Sequence, residues 1–235
     1  MQVHGRFNQS TYQLYNHTMA RYNKGISGSF SGKVGTVIGN FYKKKPYMQS
    51  LPQPNTKPPS YAQLVQQARF ATIMAFNQPF TGLYAKTLAS MAVELTAYNY
   101  AMRVNMKNAL RGSYPDFNVD YSKVTLSKGL LLPAAAARVE AAGPGQIRFS
   151  WADNSSVLKT ALASDKAILM AYYEGSGKAV YKITDTRRRE GLGLMELSSF
   201  SGMEVETWMA FIAENETMVA DSVYVGRVRV GGRGR

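Results

Sequence analysis

Cysteine is absent from this chain of 235 residues. That excludes disulfides, thiolate nucleophiles and cysteine-ligated metals together, and it leaves the redox compartment undetermined. Histidine is almost absent: the two present, His4 and His17, lie near the start, and no Asp or Glu precedes Glu94 to orient either one. A histidine–carboxylate dyad or a triad therefore has no local support, and the ligand spacings of zinc or calcium sites are missing. No catalytic residue, cofactor-binding residue or metal ligand is assigned, and the expectation is a protein that is not an enzyme. No apolar run approaches the ~18 residues of a membrane-spanning helix. The opening MQVHGRFNQS also lacks the apolar segment of a secretory signal. The sequence does not fix a location; the default expectation is cytoplasmic, or release within an assembly.

Acidic residues are scarce in one part of the chain only. Residues 1–93 carry ten Lys or Arg and no acid, whereas 94–120 hold three of each sign and 121–226 hold eleven basic against twelve acidic side chains. The closing RVRVGGRGR, from Arg227, adds four arginines. The net charge of +13 thus sits in the first two-fifths and the last nine residues. Segregation of this kind points to an anionic partner: nucleic acid, an acidic surface, or acids on a second copy such as Glu204, Glu206, Glu214 and Glu216. A basic surface that serves only solubility is the plainer alternative.

Hydrophobic residues at 45% and aromatics at 11% are those of a folding chain. The predicted class is α+β, with an extended Gly-rich β arm, a helical hairpin or kinked helix, and a C-terminal immunoglobulin/fibronectin-like β-sandwich. Residues 1–59 form the basic Gly/Pro-rich arm, with strands or a hairpin; it closes in LPQPNTKPPS, which cannot be helical. Residues 60–118 read as helix. Ser60 is placed to cap YAQLVQQARFATIMAFNQ, with Leu64, Ala68, Ala71 and Ala75 along one face and Val65 and Phe76 beside it. Pro79 and Gly82 are expected to interrupt, a longer helix to follow, and Gly112 to end it. Residues 119–226 switch to short strands, from SKVTLSKG to VADSVYVGRVRV, separated by turn signals. In QIRFSWAD, Ile147, Phe149 and Trp151 alternate with Arg148 and Ser150, and Trp151 and Trp208 are the expected fillers between two sheets. The pairs Glu204/Glu206 and Glu214/Glu216, and the arginines of TDTRRRE, read as solvated. Residues 227–235 are a basic Gly-Arg tail.

The stretch GSFSGKVGTVIGNFYKKKPY superficially resembles a phosphate loop, but Gly32-Lys33 is preceded five positions back by Ser27 and followed by Val34. A Walker loop needs glycine and a hydroxyl at those places, and no G-x-G-x-x-G is present either. As a helix, the five glycines at 25, 28, 32, 35 and 39 would cost roughly 4–5 kcal/mol relative to alanine, and Val34, Thr36, Val37 and Ile38 favour extended chain. Strands that bring backbones close are expected instead. Basic and aromatic residues interleave here, as in surfaces that neutralise phosphates and stack bases. The candidate contacts to an anionic partner are Arg21, Lys24, Lys33, Lys43, Lys44 and Lys45, with Arg227, Arg229, Arg233 and Arg235 of the tail. Tyr22, Phe41, Tyr42 and Tyr47 are the candidate stacking or interface aromatics. No signature of sequence-specific nucleic-acid readout accompanies them.

GSFSGKVGTVIGNFYKKKPYMQSLPQP, YAQLVQQARFATIMAF, YPDFNVDYSKVTLSKG, FSWADNS and DSVYVG together resemble a family of uncharacterised bacterial proteins of the domain-of-unknown-function type. In that family an SGKVG glycine block, an aromatic and lysine-rich strand, a helical middle and a C-terminal immunoglobulin-like sandwich occur in this order. The resemblance runs from about Gly25 to Gly226; the first twenty residues and the RVRVGGRGR extension lie outside it. It implies an architecture and no activity. The function expected is that of a structural protein, self-associating into a homo-oligomeric array or filament through arm and sandwich, with a basic surface for an anionic partner. Non-specific nucleic-acid binding is the alternative.

Overall fold

The computed structural model describes residues 21–22, 28–42, 45–53, 57–157 and 160–232. The chain divides into two units, Met1–Pro58 and Pro59–Arg235. In the first, strands β1 (Arg21–Tyr22), β2 (Phe30–Val34), β3 (Val37–Tyr42) and β4 (Lys45–Ser50) form one antiparallel sheet in sequence order.

The second unit opens with helix α1 (Tyr61–Asn77). Ser60 caps it reciprocally: the Ser60 hydroxyl accepts from the Gln63 amide at 3.4 Å, and Gln63 Oε1 accepts from the Ser60 amide at 2.7 Å. Ala71 and Ala75 are exposed, however, and the buried stripe runs through Ile73, Phe76 and Asn77 instead. Pro79 does not interrupt the helical path. It sits at the start of a single 3₁₀ turn, Gln78–Phe80, that passes directly into α2 (Thr81–Thr87), where the missing proline N–H has no helical bond to lose. The break comes later. Glu94 takes a left-handed φ of 61°, and the Thr96 hydroxyl accepts from the Asn99 amide at 3.1 Å to start α3 (Ala97–Asn108). The expected longer helix is therefore two. Gly112 ends neither of them. At φ +88° it lies in the hairpin of β5 (Leu110–Ser113) and β6 (Asp116–Val119), where a side chain would strike the Asp116 carbonyl.

Seven strands follow: β7 (Ala135–Gly143), β8 (Gln146–Ala152), β9 (Lys166–Tyr173), β10 (Lys178–Arg187), β11 (Leu192–Glu196), β12 (Glu204–Ile212) and β13 (Val223–Arg229). They make a four-stranded sheet, β10-β9-β12-β13, and a three-stranded sheet, β11-β8-β7, the immunoglobulin/fibronectin-like sandwich that the strand pattern predicts. SKVTLSKG is not a strand. After a 3₁₀ turn at Tyr121–Lys123 it is tied to the segment before β13, with the Ser127 hydroxyl donating to the Ala220 carbonyl and the Ser222 hydroxyl accepting from the Leu126 amide.

The two central strands of the four-stranded sheet, β9 and β12, are buried on both faces. Ala167, Leu169, Ala171, Val205, Met209 and Phe211 point into the inter-sheet core with Ile147, Phe149 and Trp151. Alternating with them, Ile168, Met170, Tyr172, Trp208, Ala210 and Ile212 face Phe76, Phe80, Leu83, Tyr84 and Leu88 of the helices. Trp208 is thus no inter-sheet filler. It is fully buried under the helical layer, near Phe76, Phe80, Tyr121 and Tyr224, because its position in β12 has the opposite parity to Phe211.

Two buried polar clusters lock the layers. Tyr84 donates to Asn77 Oδ1 at 2.8 Å, as does Asn105 Nδ2 at 3.0 Å, while Asn105 Oδ1 accepts from the Thr125 amide at 2.9 Å. Arg188, expected on a solvated loop, has no exposed surface. Its guanidinium donates to Asp165 Oδ2 at 3.1 Å, to Asn154 Oδ1 at 2.7 Å and to the Leu132 carbonyl at 3.0 Å. It also stacks 3.8 Å from the centre of the Phe211 ring. Burial pulls its pKa down and Asp165 opposes that shift. A short 3₁₀ turn, Arg188–Glu190, is what turns the middle arginine of the run inward.

Two stability measurements follow from these clusters. Trp208→Ala is expected to lower the unfolding free energy by about 3–5 kcal/mol in urea denaturation, the usual loss for a buried large aromatic. Asp165→Ala strands a buried guanidinium and is expected to cost a similar amount, about 3–5 kcal/mol. A loss under about 1 kcal/mol for either variant would contradict the packing described.

Candidate interaction surface

The sheet of the first unit owes its geometry to glycine. Val34 pairs with Val37 across a two-residue loop whose first position, Gly35, has φ +58°, a conformation that costs glycine nothing. Gly32 stands opposite Gly39. A β-carbon on Gly39 would strike the Phe30 carbonyl and lie 2.6 Å from the Phe30 ring, so no larger residue fits here. Pro46 sits in β4, at the edge of the sheet, where a residue without an N–H interrupts no ladder and discourages further strand pairing.

Residues paired across an antiparallel ladder share a face, so the register sorts this sheet into two unlike surfaces. Val34 and Val37 lie with Phe30, Phe41, Pro46 and Met48 around the two glycines. The opposite face carries Arg21, paired with Ser31; Lys33, paired with Ile38; Tyr42, paired with Lys45; and Tyr47, paired with Asn40. Among the described residues of β2, β3 and β4 only Gly39 is buried. Met48 is 70% exposed and Tyr42 68%. One face is therefore apolar, the other basic and tyrosine-rich, and among the described residues neither carries a hydrophobic core.

This register separates the aromatics that the sequence groups together. Tyr42 and Tyr47 share the basic face with Arg21, Lys33 and Lys45, whereas Phe41 belongs to the apolar one. Tyr22 lies in β1 opposite Phe30, but its side chain falls outside the described residues. Lys24, Lys43, Lys44, Arg233 and Arg235 also fall outside them.

Arg227 and Arg229 are placed in β13 rather than in a separate tail. Arg227 donates to Glu206 at 2.6 and 2.7 Å and lies 3.8 Å from Glu204, while Arg229 donates to the Gly202 carbonyl at 3.1 Å. Glu206 is 3% exposed, a buried carboxylate held by Arg227 and by the Tyr224 hydroxyl, so solvation of the strand surface does not explain it. Glu214 pairs with Arg187 at 3.1 Å and Glu216 with Lys86 at 2.9 Å. The acids that the sequence offers as docking points for a basic arm are thus engaged within their own unit. A cation placed opposite each of them on a neighbouring strand or helix is a signal that only the fold reveals.

The class defined by these features is a protein with a helix-backed fibronectin-type sandwich, preceded in sequence by a small two-faced β-sheet. The chain belongs to a family described as a family of unknown function (DUF6266), which it matches over residues 29–226. No curated protein sequence matches it. Among solved structures it is similar to the fn3 domain of human collagen alpha-1(XX), with 12% identity, 45% of this chain and 90% of that chain covered, and a TM-score of 0.32. It is also similar to the FN5 domain of Drosophila Lar, with 13% identity, 44% and 98% covered, and a TM-score of 0.31.

Burial, then the hydrogen bond and charge of Glu206, push the Tyr224 hydroxyl from its ordinary 10.0 up to about 12. A raised folded-state pKa contributes stability that is complete below the unfolded value and lost as pH climbs through the folded one. Stability is therefore expected to fall between pH 10 and about 12. Tyr224→Phe should make that fall shallower in denaturation curves recorded across this range. An unchanged slope would mean that Tyr224 ionises as freely in the fold as in the unfolded chain.

Proposed function

We propose that this is a non-enzymatic assembly protein whose copies associate through the apolar face of the N-terminal sheet, leaving the basic face to an anionic partner. The observation that carries this reading is the register that gathers Phe30, Val34, Val37, Phe41, Pro46 and Met48 on one face of a sheet in which, among the described residues of β2, β3 and β4, only Gly39 is buried. Exposed contiguous apolar patches mark interaction sites, and covering such a face removes apolar area from water, which stabilises the sheet. A second copy supplies the same surface, and packing about a two-fold axis closes a dimer. Leu192 and Leu194, both about half exposed on the edge strand β11, offer the sandwich as a second contact that extends dimers into an array or filament.

Charge supports the same arrangement. No acid occurs in residues 1–93, so within the first unit Lys33 and Lys45 have no carboxylate to pair with. Their counter-charge has to come from elsewhere.

Size-exclusion chromatography with light scattering tests the assembly reading. The full-length protein is expected to run as a dimer or larger species, and Met48→Asp or Val34→Asp to reduce it to the 26.0 kDa monomer with its circular dichroism intact. A wild-type monomer at every concentration, or variants of undiminished size, would overturn the proposal.

A further inference from the structure

Tyr42 and Tyr47 are the feature of the basic face that charge neutralisation does not require. The ladder pairs Tyr42 with Lys45 and Asn40 with Tyr47, so the two tyrosines are diagonal neighbours on one face, about 7–8 Å apart. Both are exposed, as are Lys33 and Lys45, while Ile38, paired with Lys33, is partly buried. A sheet face that presents aromatic rings amid lysines is a stacking platform. Unpaired bases lie on the rings and the phosphates meet the ammonium groups. A duplex hides its base faces and would use the lysines alone. An acidic protein surface would leave the tyrosines without a partner, and the acids Glu204, Glu206, Glu214 and Glu216 of a second copy are already paired in their own fold.

We infer that the anionic partner of this face is single-stranded nucleic acid, bound without sequence selectivity by stacking on Tyr42 and Tyr47 and by phosphate contacts to Arg21, Lys33 and Lys45. The inference rests on the division between the two faces proposed above, with Asn40 and Gln49 as the amides nearest the bases in the register. Because the binding residues and the assembly residues lie on opposite faces, the two readings fail separately. Oligonucleotide affinity reports on one and particle size on the other.

Fluorescence anisotropy of the full-length protein with labelled oligothymidine, oligouridine and a duplex of equal length is the test. Both single strands are expected to bind about tenfold or more tighter than the duplex. Tyr42→Ala and Tyr47→Ala should each weaken single-strand binding by about fivefold or more, the range of one lost stacking contact. The double variant Lys33→Gln, Lys45→Gln should reduce the logarithmic salt slope by about 1.4, the release expected for two phosphate contacts on a single strand. Equal affinity for duplex and single strands, or tyrosine variants that bind like the wild type with their circular dichroism unchanged, would overturn the inference, as would absence of binding at low salt. A preference for oligouridine over oligothymidine would support it and identify RNA as the source.

Discussion

Everything in the larger unit depends on the ladder between β9 and β12, whose side chains are buried on both sides of the sheet. The pairing runs antiparallel from Glu206 opposite Tyr172 to Ile212 opposite Lys166. With period two, each strand sends alternate residues into different cores. Leu169, Met209 and Phe211 fill the space between the sheets, while Met170, Trp208 and Ile212 carry the helices. A one-residue slip would exchange the two sets and spoil both cores together, so the register is doubly specified. The helices are accordingly part of the sandwich's stability, and Asn77, Tyr84 and Asn105 hold them there by hydrogen bonds that leave no orphaned amide among the three.

The two units treat charge in opposite ways. In the larger one, acids find cations across strands and between elements, as Glu206 does with Arg227, Glu216 with Lys86 and Asp165 with Arg188. Most such pairs are half exposed, and pairs of that kind contribute little stability. The first unit has cations and no acids at all, with tyrosines beside them and apolar residues on the reverse face. An imbalance of this kind is unfavourable for a free sheet and becomes useful when something covers each face.

Much of the fold is legible in local residue chemistry. Ser60 with Gln63 announces a helix start, Gly35 between two valines marks a hairpin, and the alternation of Ile147, Phe149 and Trp151 predicts the inward face of β8. What escaped was information that lies across elements. AILMAYY and TWMAFIA are continuous apolar runs, the signature of strands buried on both faces, yet read singly they look like ordinary sandwich strands. Trp208 therefore reads as an inter-sheet filler, although its ring lies under the helices. Pro79 reads as a breaker because sequence does not show that it starts a 3₁₀ turn. Arg188 reads as solvated because Asp165, Asn154 and the Leu132 carbonyl converge on it only in three dimensions. The basic arm was visible from charge alone, but the sorting of Phe41 away from Tyr42 and Tyr47 required the register.

The two faces of the small sheet are proposed to have different partners, and the absence of cysteine from the chain makes that directly measurable. Met48→Cys on the apolar face and Gln49→Cys on the basic face differ by one position and point to opposite sides of β4. Under mild oxidation the account predicts a disulfide-linked dimer for Met48→Cys and none for Gln49→Cys, whose thiol stays open to alkylation. Cross-linking at Gln49→Cys, or equal cross-linking at both positions, would contradict it.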